Sequence, residues 1–328
     1  MPQAQQVVGS DYGVDRAKVT QLKGGIINTT YLVESPAGKK ILQHMNSMFP
    51  TESTADFKTV TDHLRTKGWE TPQLAATTSG ELFSIVENGD WWRMMSFIES
   101  DGDHPESLDE ATYLQAGQLL ANLHRDLATL NYQPAFKIPH FHETEHYAGR
   151  LGAVRQSLTD PALQQLAADM LGALEALPEP PMSEPQLIHG DPQTSNMLFK
   201  SGKPFTFIDY DTVMIAPIWI DIGDMLRSLA EDAIEDQGKF PRGRIKAVVE
   251  GYRLIAAPEV EQGQFYQWAM VATQKIALEL GMRFLIDVVE DNYFGFDADK
   301  FSSRRQSNIG RAQMQWKIYK LCSEDKDD

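Results

Sequence analysis

Apolar and polar positions change their pattern near residue 100. Four short apolar runs before this point predict strands: Ile26 to Val33, Lys40 to Met45, Glu81 to Val86 and Trp91 to Ile98. Asn88-Gly89-Asp90 separates the last two runs and predicts a hairpin turn. Ser53 to Lys67 repeats apolar residues at helical spacing, and Gly68 is expected to end that helix.

From Leu108 onward the apolar spacing is mostly helical. Helices are predicted at Leu114 to Leu127, Leu158 to Leu177, Ile222 to Asp232, Ile245 to Ile255, Gln264 to Val289 and Ser307 to Leu321. Two short strands are predicted at Leu187 to His189 and Phe205 to Ile208. A strand-rich part followed by a helical part indicates an α+β fold with two lobes, residues 1–97 and 98–328. Ligands commonly collect in a cleft between lobes.

The composition narrows the class of protein. The chain has 46 acidic and 30 basic residues, a net charge of −16, which argues against a nucleic-acid partner because clustered Lys and Arg hold phosphate backbones. Cys322 is the single cysteine, so no internal disulfide can form, and a reducing, cytoplasmic compartment is expected. The first residues do not resemble a signal peptide, and no run of about 18 apolar residues predicts a membrane partner.

The strongest chemical signal is the loop His189-Gly190-Asp191-Pro192-Gln193-Thr194-Ser195-Asn196, followed by Ile208-Asp209-Tyr210-Asp211. Phosphoryl transfer needs an aligned hydroxyl, a carboxylate that accepts its proton, and metal ions that neutralise the phosphates. Asp191 can be that base, while Asn196 and Asp209 offer the oxygen ligands that Mg²⁺ prefers. The alternative is that Asp191 merely caps a turn, but an ordered set of three such residues disfavours it.

These residues resemble the aminoglycoside phosphotransferase and choline kinase family, which has a protein-kinase-like fold. In that family the loop reads His-Gly-Asp followed by Asn, and the metal-binding aspartate ends an Ile-Asp strand. The resemblance implies Asp191 as catalytic base, Asn196 and Asp209 as magnesium ligands, and ATP and Mg²⁺ as cofactors. It also implies that residues 1–97 bind the nucleotide and that residues 98–328 hold the catalytic and substrate-binding groups.

Further segments resemble one branch of this family, the N-acetylhexosamine 1-kinases. They are spread over nearly the whole chain: Ile27 to Val33, Ile41 to Asn46, Phe49-Pro50, His140 to Thr144, Asp211 to Met214, Gly223-Asp224, Gly281 to Leu285 and Asn308 to Gln315. This likeness implies that the small-molecule partner is an amino sugar, N-acetylglucosamine or N-acetylgalactosamine, phosphorylated on its anomeric hydroxyl.

The nucleotide is expected to bind in the first lobe. The residues expected there are Gly24, Gly25, Asn28, Thr29, Thr30, Gln43, Met95 and Phe97. Gly24-Gly25 can form a turn whose amides approach a phosphate, although an ordinary hairpin turn is an equal alternative. Kinases of this fold usually carry a Lys on the third strand. Here Gln43 takes that place as a neutral donor, or Lys40 enters from a shifted register, or the protein is a catalytically silent nucleotide-binding regulator.

Four charged residues are candidates for contact with the second substrate: Asp211, Arg283, Asp287 and Arg311. Such side chains can recognise the fixed hydroxyls of a sugar. Asp211 follows Asp209 by two residues and is expected at the same strand end. Arg283 and Asp287 share a helix face, where an ordinary ion pair is an equal alternative.

Several other polar residues have a structural interpretation. His140-Phe141-His142 with His146 could bind zinc, but a polar loop lining the cleft is the favoured interpretation. His124 lies on an apolar helix face and is expected to be a hydrogen-bonded core residue. Asp221 and Asp224 are expected to brace the catalytic loop.

Other acceptors known for this fold stay open, namely aminoglycosides, choline or ethanolamine, and homoserine. Choline would require an aromatic and acidic cage, and an aminoglycoside would require a strongly acidic pocket. The acidic composition is compatible with both.

Overall fold

The computed structural model describes residues 2–22, 27–101, 109–181, 183–256 and 262–324. The chain forms two compact units: the first contains Met1–Ser100, Gln133–Ile138 and Tyr210–Val213, and the second contains Asp101–Tyr132, Pro139–Asp209 and Met214–Asp328. The sequence predicts one junction, whereas two later segments also belong to the first unit. They do so because Asp56 accepts the backbone N–H groups of Ala135 and Phe136, and Arg93 binds Asp211.

An antiparallel sheet is the centre of the first unit. Its strands are β1 (Lys18–Gln21), β2 (Thr29–Ser35), β3 (Gly38–His44), β4 (Leu74–Ala75), β5 (Ser84–Ile85) and β6 (Trp91–Ser96). They pair in the order β1-β2-β3-β6-β4, and β5 also pairs with β6. Two helices, α1 (Pro2–Ser10) and α2 (Ser53–Thr66), belong to this unit. Val7 of α1 joins Val33, Leu42 and Met94 of the sheet in one apolar core.

The turns in this unit follow the sequence. Gly89 lies between β5 and β6 with a φ of +87°, which confirms the predicted hairpin. The strand before it is shorter than predicted, because the Thr77 N–H donates to the Glu81 carbonyl and uses that backbone in a turn. Helix α2 ends at Thr66, and Gly68 has a φ of +93°, as its predicted role as a helix stop requires.

The second unit is mostly helical. Its helices are α3 (Glu110–Leu127), α4 (Thr144–Val154), α5 (Pro161–Ala176), α6 (Trp219–Gln237), α7 (Arg242–Ile255), α8 (Gln262–Glu290) and α9 (Arg304–Glu324). Its strands form two antiparallel pairs, β7 (Gln186–Ile188) with β10 (Met214–Ala216) and β8 (Met197–Lys200) with β9 (Lys203–Phe207).

Close helix packing stabilises this unit. Helices α3 and α7 approach so closely at Gly117 that an added Cβ would lie 1.9 Å from the Val248 carbonyl oxygen, so only glycine fits there. Helix α5 starts later than predicted, at Pro161, because the Asp160 side chain accepts the Ala162 N–H and caps it. In the described part of the chain, no helix has the length and apolarity needed to cross a membrane.

Candidate active site

The β8–β9 hairpin brings Asn196 and Asp209 to the same place. Asn196 directly precedes β8, and Asp209 follows β9 by two residues. Because the two strands are antiparallel, the start of β8 and the end of β9 lie at the same end of the hairpin. The Ile208 N–H donates to the Asn196 carbonyl at 2.8 Å and closes this end. Asp209 has a φ of +68°, a conformation uncommon for residues with a side chain and concentrated at functional sites.

His189 joins the catalytic loop (residues 189–196) to the segment that follows β9. Its Nε2 lies 3.0 Å from the Ile208 carbonyl oxygen, and its Nδ1 accepts the Asp191 N–H at 3.3 Å. A neutral imidazole with one donor and one acceptor satisfies both bonds. Burial favours this form because it lowers the pKa of His189. Gly190 turns the loop with a φ of +84°.

Asp221 of α6 braces the loop, as the sequence predicts. Its carboxylate accepts the backbone N–H groups of His189 and Gly190, both at 2.8 Å. His124 Nε2 lies 2.9 Å from the same carboxylate, and its Nδ1 lies 2.8 Å from the Tyr252 hydroxyl. His124 is therefore the hydrogen-bonded core residue that the sequence predicts.

The same face of α6 makes further loop contacts that sequence reasoning missed. Ser228 Oγ accepts a hydrogen bond from the Thr194 N–H at 3.0 Å, and the Thr194 hydroxyl donates a hydrogen bond to Asp232 at 2.5 Å. Together with Asp221, these residues recur at helical spacing on one face of α6. That polar stripe was the available signal in the sequence.

The Asp191 carboxyl lies in a strongly negative environment. Burial and the charges of Asp224 and Asp209 raise its pKa well above the ordinary value, and Arg227 opposes this shift. Arg227 is itself bound to Asp224, with Nη2 and Nε at 2.9 and 3.0 Å from one carboxylate oxygen. A carboxyl whose pKa is shifted toward neutrality is suited to accept a proton from a hydroxyl.

The oxygen ligands available near Asp191 fit a magnesium ion. Asn196 Nδ2 donates to the Asp191 carbonyl at 2.8 Å, so its amide oxygen can serve as a ligand, and Asp209 at the same end of the hairpin offers a carboxylate. Mg²⁺ is typically held by one or two carboxylates, with phosphate oxygens and waters completing the shell. A divalent cation would also neutralise the negative charge that raises the pKa of Asp191.

The histidine-rich segment contacts the catalytic loop and Glu279 through His142. Over the described residues, no cluster of three or more His, Cys, Asp or Glu side chains could hold a metal ion. His142 Nε2 lies 2.8 Å from the Gly190 carbonyl oxygen, and its Nδ1 lies 3.3 Å from Glu279. Burial opposes protonation, but the Glu279 carboxylate prevails and raises the pKa of His142. His140 and His146 stack with ring centroids 3.6 Å apart.

The described residues among those expected at the nucleotide lie on the sheet of the first unit or directly next to its strands. Thr30 of β2 and Gln43 of β3 are register partners, and Asn28 Oδ1 accepts the Asn46 N–H at 2.9 Å. Thr29 is the register partner of His44, and Met95 of β6 is the register partner of Ile41. Phe97 directly follows β6, and its ring centroid lies 5.0 Å from Lys39 Nζ. Gly24 and Gly25 lie outside the described residues.

A buried arginine on β6 stands next to Gln43, the residue expected in place of the usual lysine. Arg93 is fully buried, and its guanidinium donates to Gln43 Oε1 at 2.9 and 2.7 Å. It also donates to both carboxylate oxygens of Asp211, at 2.7 and 2.5 Å, and lies 4.4 Å from the Phe57 ring centroid. Sequence reasoning missed Arg93, although a charge inside the apolar run from Trp91 to Met95 was a signal.

The other three candidate substrate residues meet at one loop of the second unit, residues 292–295. Arg283 Nη2 donates to the Tyr293 hydroxyl at 3.1 Å, and Arg311 Nη1 donates to the Gly295 carbonyl at 3.0 Å. Asp287 accepts the backbone N–H groups of residues 292, 293 and 294 at 2.8–3.0 Å. The fourth candidate, Asp211, belongs to the first unit.

A strand-rich N-terminal sheet and a helical C-terminal region are the two parts of a protein-kinase-like fold, which the solved structures share. Residues 18–253 match the phosphotransferase enzyme family (APH), and the chain belongs to that family.

Three solved structures illustrate the likeness. A microcompartment-associated aminopropanol kinase has a TM-score of 0.65 and 19% identity, covering 96% of this chain and 94% of that one. Choline kinase from Cryptosporidium parvum has a TM-score of 0.61 and 15% identity, covering 94% and 90%. An amicoumacin kinase in complex with AMP-PNP, Ca²⁺ and Ami has a TM-score of 0.60 and 14% identity, covering 98% and 93%. At these identities the likeness shows a shared fold.

Proposed function

We propose that this chain transfers the γ-phosphoryl group of ATP to the anomeric hydroxyl of an N-acetylhexosamine and releases the sugar 1-phosphate and ADP. Membership of the phosphotransferase family supports the reaction class. The observation that carries the proposed phosphoryl transfer is the position of Asp191 on a braced loop. Asn196 donates a hydrogen bond to the Asp191 carbonyl, and the negative charge of Asp209 helps to raise the pKa of the Asp191 carboxyl.

Asp191 acts as the general base. Its carboxylate accepts the proton of the acceptor hydroxyl, while the hydroxyl oxygen forms a bond to the γ-phosphorus and the bond to the bridging oxygen of ADP breaks. Asp221 and His189 keep the loop in place through buried hydrogen bonds. Arg227 supplies a fixed positive charge next to the carboxylates.

Asp209 and Asn196 would hold Mg²⁺, which when bound neutralises charge on the phosphates of ATP. In the first unit, the expected nucleotide contacts are Thr30 and Gln43, with the backbone near Met95 and Phe97 for the base. The complex of the amicoumacin kinase with AMP-PNP and Ca²⁺ supports a nucleotide and a divalent cation on this fold.

The proposed acceptor is supported by the segments from Ile27 to Gln315 that resemble the N-acetylhexosamine 1-kinases. The names of two solved structures, an aminopropanol kinase and a choline kinase, favour a second candidate, an amino alcohol. The two candidates differ in charge, because an amino alcohol is a cation at neutral pH and an N-acetylhexosamine is neutral.

A screen for acceptor-dependent ADP release decides between them. Purified protein with ATP and Mg²⁺ is incubated separately with N-acetylglucosamine, N-acetylgalactosamine, choline, ethanolamine, aminopropanol, homoserine and aminoglycosides, with Asp191→Asn as the inactive control. Phosphorus NMR then identifies the phosphorylated position. A sugar 1-phosphate supports the proposal, whereas a 6-phosphate, or turnover with a cationic acceptor alone, refutes the acceptor while leaving phosphoryl transfer intact.

A further inference from the structure

An aromatic cage in the second unit is filled by an arginine of the same chain. Four rings, those of Phe141, Tyr147, Tyr293 and Phe294, form what we term the ring cage. The Arg283 guanidinium carbon lies 5.2 Å from the Tyr147 centroid and 5.5 Å from each of the other three. All four distances are within the range of cation–π attraction, and cages of this type recognise quaternary ammonium groups.

The ring cage adjoins the catalytic loop. Phe141, a wall of the cage, directly precedes His142, whose Nε2 lies 2.8 Å from the carbonyl oxygen of Gly190, the neighbour of Asp191. His142 Nδ1 lies 3.3 Å from Glu279, which lies 3.9 Å from Arg283. A short chain of buried polar groups therefore connects the guanidinium to the loop that carries the proposed base.

The surroundings hold the guanidinium in place. Asp287 fixes the segment with Tyr293 and Phe294 by accepting its backbone N–H groups, and the Tyr293 hydroxyl accepts from Arg283 Nη2 at 3.1 Å. Tyr293 is 40% exposed and the Arg283 side chain 10% exposed, so the cage borders solvent on the Tyr293 side. An entering ammonium group would meet a fixed like charge at the place where the rings attract cations.

We propose that Arg283 is a specificity-determining residue of the acceptor site: by occupying the ring cage it excludes cationic acceptors and admits uncharged or anionic ones. This inference rests on the proposed phosphotransferase function and sharpens its acceptor class. Removal of the guanidinium leaves four rings and the Glu279 carboxylate, which is the aromatic and acidic environment that suits a quaternary ammonium ion.

The test uses tetramethylammonium, which has no hydroxyl and therefore reports on the cage without turnover. Its binding to wild type, Arg283→Ala and Arg253→Ala is measured by calorimetry, with folding checked by circular dichroism. Arg253 is the matched control because it is an arginine of the same unit whose ion pair, with Glu250, lies on α7. Arg283→Ala is expected to bind tetramethylammonium about tenfold more tightly than wild type or more. Equal affinity in all three proteins would overturn the inference.

Choline turnover by the wild type provides a second test that needs no variant. The wild type is expected not to phosphorylate choline, and brisk choline phosphorylation overturns the inference even if Arg283→Ala does not fold. If Arg283→Ala gains ammonium binding while the wild type phosphorylates no N-acetylhexosamine, the inference stands and the proposed sugar acceptor fails. If the wild type phosphorylates an N-acetylhexosamine and Arg283→Ala gains no binding, the inference fails alone.

Discussion

Removal of Arg93 is expected to destabilise the first unit strongly. Arg93 and Asp211 have side chains that are 0% and 2% exposed, and two hydrogen bonds of 2.7 and 2.5 Å join them. Arg93→Met keeps the unbranched side chain but leaves the Asp211 carboxylate buried without its cation. Breaking a buried pair in this way costs about 3–5 kcal/mol, a large fraction of a typical free energy of unfolding.

A double-mutant cycle measured by urea denaturation tests this reasoning. Arg93→Met and Asp211→Leu should each lower the free energy of unfolding by about 3–5 kcal/mol. The loss in the double variant should be about 2–3 kcal/mol smaller than the sum of the two single losses, because no buried charge is left unpaired. Lys18→Met is the control: its pair with Glu34 spans 3.3 Å in the same unit but Lys18 is 76% exposed, so the loss should stay below about 1 kcal/mol. Additive losses in the cycle, or a control that loses as much as Arg93→Met, would refute the argument.

Three further predictions concern the site. Burial and neighbouring carboxylates raise the folded-state pKa of Asp191, so the wild type loses stability as pH rises above the unfolded-state pKa of about 4. The melting temperature of Asp191→Asn should therefore exceed that of the wild type at neutral pH, and the difference should vanish at about pH 3. Asp209→Ala should shift the Mg²⁺ dependence of turnover more than Asn196→Ala does, because a carboxylate carries full charge; an unchanged magnesium titration for Asp209→Ala would place the metal elsewhere. Gln43→Ala should raise the KM for ATP while Lys40→Ala leaves it unchanged, and the reverse result would mean that Lys40 contacts the phosphates.

The sequence predicts the fold well where elements have strong local signals. The helix over α2 and the hairpin at Gly89 follow from apolar spacing and turn residues, and the structure confirms both. The bracing of the loop by Asp221 is also predicted from the sequence, and its bonds to the loop N–H groups confirm it.

Contacts between distant segments could not be predicted in the same way. The pairing of Arg93 with Asp211 joins residues 118 positions apart, and nothing in local spacing specifies a partner at that distance. The convergence of Arg283, Asp287 and Arg311 on residues 292–295 likewise depends on how α8 and α9 pack together. Sequence reasoning grouped these three with Asp211 by chemistry alone, without information on which segments pack together.

Single-turnover phosphoryl transfer by Asp191→Asn tests the central claim, that Asp191 is the base of a phosphotransferase, most directly. Labelled γ-phosphoryl transfer from ATP to the best acceptor of the screen is followed in wild type and variant, with ATP affinity measured alongside by calorimetry. The rate in Asp191→Asn is expected to be lower by about 10²-fold or more at unchanged ATP affinity, since that is the usual contribution of a positioned general base. A near-normal rate in the folded variant would contradict the assignment of Asp191.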